Sequence, residues 1–200
     1  MEHTVYSISL LSAELFFTAV WIVIRVIVWI RNRKIDWKRE ALLLLMYVNL
    51  AVIIRIVFFP MERSYGKVQP LLFDPGAILP FKIILSPFVR MFDFETKTGA
   101  LINVTGNVAM FIPSGIILPI LYRKLDRFRK VVAAGALISL CIEILQLPLS
   151  TRTSDINDLI LNTAGTAIGY GIYALAKSVI RRKASAPSDQ HGGDMNDSCN

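Results

Sequence analysis

The chain has 200 residues, of which 54% are hydrophobic and only 18% charged, and its mean hydropathy is +0.53. Those values exclude an ordinary water-soluble domain and point to an all-α, polytopic integral membrane protein, a bundle of about five transmembrane helices. The formal net charge of +7 sits in short clusters at the ends of apolar runs, as topology determinants do, so nucleic acid is not expected as a partner.

Tyr6 to Ile30 is the first apolar run, with neither a basic region before it nor a small-residue cleavage site after it, so it reads as a retained anchor. The basic loop Arg31 to Arg39 follows and is expected in the cytoplasm, which puts the amino terminus outside. Ala41 to Pro60 then carries the chain back out. Met61 to Ala100 is expected as an external segment, because Pro60, Pro70, Pro75, Pro80 and Pro87 break any long helix. Within it, Ile78 to Phe92 is apolar but too short and too proline-split to span. It is expected to lie in the interface or to dip in and return, a placement open to a lid over the outer face.

Leu101 to Tyr122 is the third span, opening with Asn103 and Asn107 and carrying Pro113, Gly115 and Pro119, which predict a kink. The second basic cluster, Arg123 to Lys130, marks a second cytoplasmic loop. Val131 to Pro148 travels outward, Leu149 to Ser154 turns outside, and Ile156 to Ala176 returns as the fifth span. Lys177, Arg181, Arg182 and Lys183 then fall on the inside, where an odd number of spans requires them. The tail from Ala184 to Asn200 is polar, with almost no large apolar residue, and is expected to be disordered and cytoplasmic. The organisation read from this is a two-helix unit over 1–66, a three-helix unit with the external segment over 67–180, and a tail over 181–200.

Function is sought where polarity interrupts the membrane pattern. Glu143 and Gln146 lie three residues apart near the end of span four, and Asp155, Asp158 and Asn162 share a face at the start of span five. Asn103 and Asn107 form a third set at the same end, and Arg152 in the connecting turn is the obvious counter-charge. Charges facing lipid cost on the order of 2 to 3 kcal/mol each, so these groups are expected to face the bundle interior or a water-filled cavity. Glu143, Asp155 and Asp158 are the candidate catalytic residues; Asn103, Asn107, Gln146, Arg152 and Asn162 are the candidate binding residues. Plainer roles stand beside these: Asp155 as the N-cap of span five, the amides as interhelical hydrogen bonds, and Arg152 as a solvated turn residue. Arg25 is expected to snorkel to the headgroups, and Arg55 to pair with Glu143 or Glu14. Cys141, Cys199, His3 and His191 form no ligand pattern, so no metal site is assigned and no cofactor is named.

The ordered motifs carry a resemblance. Asn107-Val-Ala-Met-Phe-Ile-Pro-Ser-Gly115, Glu143-Ile-Leu-Gln146 and the series Arg152, Asp155, Asp158, Asn162, Gly165 resemble the VanZ family of bacterial membrane proteins, as does Ile78-Leu-Pro-Phe81, although Ala77 stands where that family usually has asparagine. The resemblance covers roughly 70–173 and implies a multi-pass protein of the bacterial cell membrane and envelope, linked to lowered susceptibility to teicoplanin-like glycopeptides. Three functions are therefore carried forward. One is an outward-facing polar pocket that binds or modifies a membrane lipid, a lipid-linked cell-wall precursor or a lipoglycopeptide antibiotic. Another is a membrane-embedded enzyme acting on a lipid or cell-wall precursor, using the paired carboxylates as acid and base with or without a divalent ion between them, although no histidine accompanies Ser150, Thr151, Thr153 or Ser154 to make a nucleophile. The last is a non-catalytic scaffold, which five spans with no visible repeat favour over a secondary transporter.

Overall fold

A computed structural model describes residues 5–32, 34–59, 63–64, 67–74, 83–84, 97–149 and 154–185. Strand β1 (Tyr6–Ile8) leads into α1 (Leu10–Asn32), followed by α2 (Trp37–Phe58), the short strands β2 (Arg63–Ser64), β3 (Lys67–Val68), β4 (Leu71–Phe73) and β5 (Ile83–Ile84), and α3 (Lys97–Leu121). A 3-10 turn at Arg123–Leu125 precedes α4 (Phe128–Gln146), and β6 (Ser154–Asp155) runs directly into α5 (Ile156–Ser185). Helices α1, α2, α3 and α5 are each long and apolar enough to cross a bilayer. The 19 residues of α4 reach almost as far, although Arg129, Lys130 and Glu143 interrupt its apolar pattern. The protein is an all-α, multi-pass membrane protein.

Successive helices run antiparallel, which gathers their connections at two ends. At one end β1 pairs antiparallel with β4 (Tyr6 opposite Phe73), and Phe59, Leu71 and Leu149 are buried together over the ends of α2 and α4. The first apolar run thus begins as a strand and becomes helical only at Leu10. At the other end Asp36 caps α2 by accepting from the Lys38 and Arg39 amides at 3.1 and 3.3 Å. There Lys177 of α5 also pairs with Asp126, and Lys130 Nζ donates to the Lys124 carbonyl at 3.0 Å. The three basic clusters therefore share one end of the bundle, called the basic end below, and the β1–β4 ribbon marks the other.

Helices α3, α4 and α5 form the packed part. The α3–α5 contact is backbone on backbone: a methyl group on Gly169 would stand 2.1 Å from the Ile112 carbonyl oxygen, and one on Gly115 would stand 2.2 Å from that of Thr166. Only glycine permits that approach, which is how helices associate where lipid removes the hydrophobic incentive. Helix α3 runs unbroken through Pro113 and Pro119. Helix α2 docks on α3 and α4 through a core of Ile53, Met110, Phe111 and Ile142. Asn49 completes that contact, its Nδ2 donating to the Met110 carbonyl at 2.9 Å and its Oδ1 accepting from Ser114 Oγ at 2.7 Å.

Helix α1 has no buried residue. It is tied to α2 by Thr18 and Tyr47, whose hydroxyls lie 2.6 Å apart, by Trp21 beside the Tyr47 ring, and by Arg25. Arg25 does not reach for headgroups as expected. Its Nε donates to Glu40 Oε2 at 2.9 Å and its Nη2 to Oε1, a forked pairing available because Glu40 sits opposite it on α2. The expected Arg55 ion pair is also absent among the described residues: Arg55 Nη1 donates to the Phe59 carbonyl at 3.3 Å, within its own helix end. Arg152, most of 78–92 and the tail beyond 185 lie outside the described residues.

Candidate functional site

The site is built at the ribbon end, where α4 hands the chain to α5. Glu143 lies one turn before the end of α4 and is 6% exposed. Its Oε2 accepts from Ser154 Oγ at 2.9 Å and from the Asp155 backbone N–H at 3.0 Å. Both donors belong to β6, so a carboxylate on one helix holds the entry strand of the next. The strand is fixed from its other side by parallel pairing with β5, Ile83 opposite Ser154 and Ile84 opposite Asp155. That pair of residues is the described part of the expected interfacial segment, and it lies against the strand that Glu143 holds.

Asp155 itself accepts from the Asn157 amide at 2.9 Å, the bond of an N-cap for a helix beginning at Ile156. Its capping role is thus present in the geometry alongside its place next to Glu143. One turn on, Asp158 accepts from Asn107 Nδ2 of α3 at 2.8 Å. The same Nδ2 lies 3.4 Å from Asn103 Oδ1, which ties Asn103 loosely to the set. A further turn along, Asn162 is 1% exposed and donates from Nδ2 to Ser139 Oγ of α4 at 2.9 Å. Thr166 Oγ1 donates to the Asn162 carbonyl at 3.1 Å, prolonging the polar seam along α5. Gln146 turns away from this group, its Nε2 donating to the Val57 carbonyl of α2 at 3.2 Å. The oxygens Gln146 Oε1 and Asn162 Oδ1 are buried with no hydrogen-bond donor among the described residues.

The structure therefore brings Glu143, Asp155, Asp158, Asn107, Asn103 and Asn162 onto one seam among α3, α4 and α5, with Gln146 on the α2 side. The Asp155 and Asp158 carboxylates lie within electrostatic reach of Glu143. A cleft of about 190 Å³ opens beside the Glu143 carboxylate, walled by Ser154, Asp155 and Leu159 and edged by Leu140 and Ile144. Both of those edge residues are exposed on the bundle surface. The arrangement offers acceptor oxygens to a ligand's O–H or N–H groups, and a carboxylate able to exchange a proton. Among the described residues no group of three or more His, Cys, Asp or Glu side chains is arranged to hold a metal ion.

Residues outside the expected set complete the seam. Ser139 precedes Glu143 by four residues and so shares its helix face, a spacing that was available to find it. Asn49 and Ser114 form the equivalent link between α2 and α3, and a lone asparagine inside a twenty-residue apolar run was the signal.

The comparisons with known proteins agree with one another. A family model described as VanZ/LLP1 matches residues 42–177, from the start of the α2 apolar run into the last turns of α5. Protein VanZ of Enterococcus faecium is 32% identical over 88 residues, which cover 44% of this chain and 54% of that protein, so the chain spans about half the length of this relative. No solved structure matches the chain. All the seam residues fall within the matched range, whereas α1 lies outside it.

Proposed function

The chain belongs to the VanZ/LLP1 family, and on that premise we propose that it acts in the bacterial cell envelope to lower susceptibility to teicoplanin-type glycopeptides. The polar seam binds or modifies a lipid-linked molecule, either a cell-wall precursor or the lipid-bearing antibiotic. In this reading the three basic clusters keep the basic end in the cytoplasm. The amino terminus and the seam then face outward, and the carboxyl terminus lies inside. The 67–180 unit carries the chemistry and the 1–66 unit anchors it.

The observation that carries the reading is the Glu143 carboxylate, buried yet bordered by a cleft whose rim, Leu140 and Ile144, is apolar and exposed on the bundle surface, which in this reading is the side turned to lipid. A ligand with one end in the bilayer reaches such a cleft without crossing water. The test compares deletion, wild-type and Glu143→Gln strains for glycopeptide susceptibility, together with their lipids and muropeptides. Loss of protection in Glu143→Gln, with normal protein level, is expected. A changed envelope species would assign modification, and an unchanged one binding. Susceptibility that does not move on deletion or overexpression in several hosts would sink the resistance reading.

Modification would use Glu143 with Asp155 and Asp158 as acid and base, and an active Glu143→Gln, Asp158→Asn double variant would remove it. A scaffold reading draws on a specific observation of its own: Glu143, Asn107, Gln146 and Asn162 each make an interhelical or hairpin hydrogen bond. Variants that lose folding and function together would favour it.

A further inference from the structure

A topology determinant needs only to place charge in a loop, but two of the basic clusters do more: they meet. Lys38 and Arg39 in the first turn of α2, and Arg123 and Lys124 in the 3-10 turn between α3 and α4, line one groove of about 610 Å³ at the basic end. None of these four side chains makes a hydrogen bond or ion pair among the described residues, and all four residues are exposed. The acid in the groove is Asp36, whose carboxylate accepts from the Lys38 and Arg39 amides as the cap of α2. Four cations thus face one another across two connections against one carboxylate that is already engaged.

The rest of the groove says what kind of anion fits. Its inner wall is aliphatic, made by Leu42 of α2 with Ile120 and Leu121 of α3. Those residues stand at the limit of the apolar stretches, the depth at which headgroups meet hydrocarbon. Guanidinium forks suit phosphate oxygens, and an aliphatic wall suits an acyl chain rather than a hydrated ion. The neighbouring cleft at the same end differs: there Lys177 is paired with Asp126 and lies 5.4 Å from the centre of the Tyr173 ring.

We propose that the groove between the α1–α2 and α3–α4 connections binds the headgroup of an anionic phospholipid. Its phosphate lies among Lys38, Arg39, Arg123 and Lys124, and its chains lie along Leu42 and Ile120. The bound lipid links the α1–α2 hairpin to the α3–α5 bundle at the end opposite the polar seam. This site is independent of the function proposed for that seam.

The test uses the full chain in detergent, titrated with phosphatidylglycerol, phosphatidylcholine or inorganic phosphate, reading retained lipid by native mass spectrometry and the thermal unfolding midpoint. Phosphatidylglycerol is expected to be retained and to raise the midpoint, phosphatidylcholine to be retained weakly, and millimolar phosphate to do neither. Apparent affinity for phosphatidylglycerol should fall about fivefold for each groove cation replaced by glutamine. The pair Arg123→Gln and Lys124→Gln, on an exposed turn, serves if the fourfold variant does not fold. Replacing Arg127, Arg129, Arg182 and Lys183 by glutamine removes the same charge elsewhere and should leave the selectivity in place. Equal loss in both variants, unchanged selectivity in the groove variant, or stabilisation by phosphate alone would each overturn the proposal.

Discussion

Helices α1 and α3 invert the rule learned from soluble proteins. Helix α1 is the more hydropathic of the two, yet 0% of its span is buried against 44% for α3. Helix α5 is the least hydropathic of the four apolar helices and is 28% buried. In a bilayer an apolar surface already has its preferred solvent, so hydropathy decides only that a helix spans. What draws helices together is what lipid serves badly, namely close backbone contact and polar groups in search of partners. Helix α3 has Gly115, Asn107 and Ser114 for this; α1 has Thr18 and Arg25, and they reach no further than α2.

The largest effect should come from closing the α3–α5 contact. Gly169→Leu drives a side chain into the Ile112 carbonyl and is expected to cost about 3 kcal/mol or more, seen as loss of the monodisperse peak in fluorescence-detected size exclusion. Gly171→Leu, at a position where an added Cβ would meet nothing within 4 Å, should behave as wild type. Equal behaviour of the two would break the claim that backbone contact organises the bundle. Next comes the seam: Glu143→Leu strands the Ser154 hydroxyl and the Asp155 amide and should cost about 1–3 kcal/mol, measured by unfolding in mixed micelles. Glu143→Gln keeps an acceptor and should cost less.

In the loose half, Arg25→Gln is expected to cost only about 0.6–1 kcal/mol. Its signature is slower disulfide formation between cysteines placed at Thr18 and Tyr47, with the α3–α5 contact undisturbed. The smallest effect is electrostatic. The hydrogen bond from Lys177 holds the Asp126 carboxyl below its ordinary range, with the Lys177 charge adding to it. The stability it contributes is complete above the usual carboxylate range and is lost as pH falls through the lower native value. Carboxyl NMR of Asp126 should show that low midpoint, and Lys177→Gln should raise it.

Much of this was legible in the sequence, for a reason tied to the solvent. Lengths of apolar runs separated by basic clusters predicted the five helices of the described residues, with the start of the fifth at Ile156 and most other ends displaced by a few residues; the end of the fifth was missed, since α5 continues nine residues past Ala176 to Ser185. The spacings of three and four at Glu143, Asp155, Asp158 and Asn162 placed those residues on faces that do meet. Pairings between distant segments were not legible. The β1–β4 ribbon joins Tyr6 to Phe73 through three-residue strands, too short for an alternating pattern to register. The expected pairing of Arg55 with Glu143 or Glu14 rests on similar depth in the membrane, and depth does not specify azimuth around a helix. Glu143 finds donors in its own hairpin, and Arg55 a carbonyl four residues away. Gly165 and Gly169 carried a small-residue spacing of four that was visible but could not by itself say which helix would answer it.

The pairing of Ser154–Asp155 with Ile83–Ile84 turns one backbone proton into a gauge. The Asp155 amide hydrogen is spent on the Glu143 carboxylate, so its exchange with deuterium requires that carboxylate to let go. A two-residue ladder has little resistance to opening of its own. Isotope uptake at this single position, in wild type and with candidate ligands added, therefore clocks the release of Glu143 directly, without a phenotype or an assay for turnover.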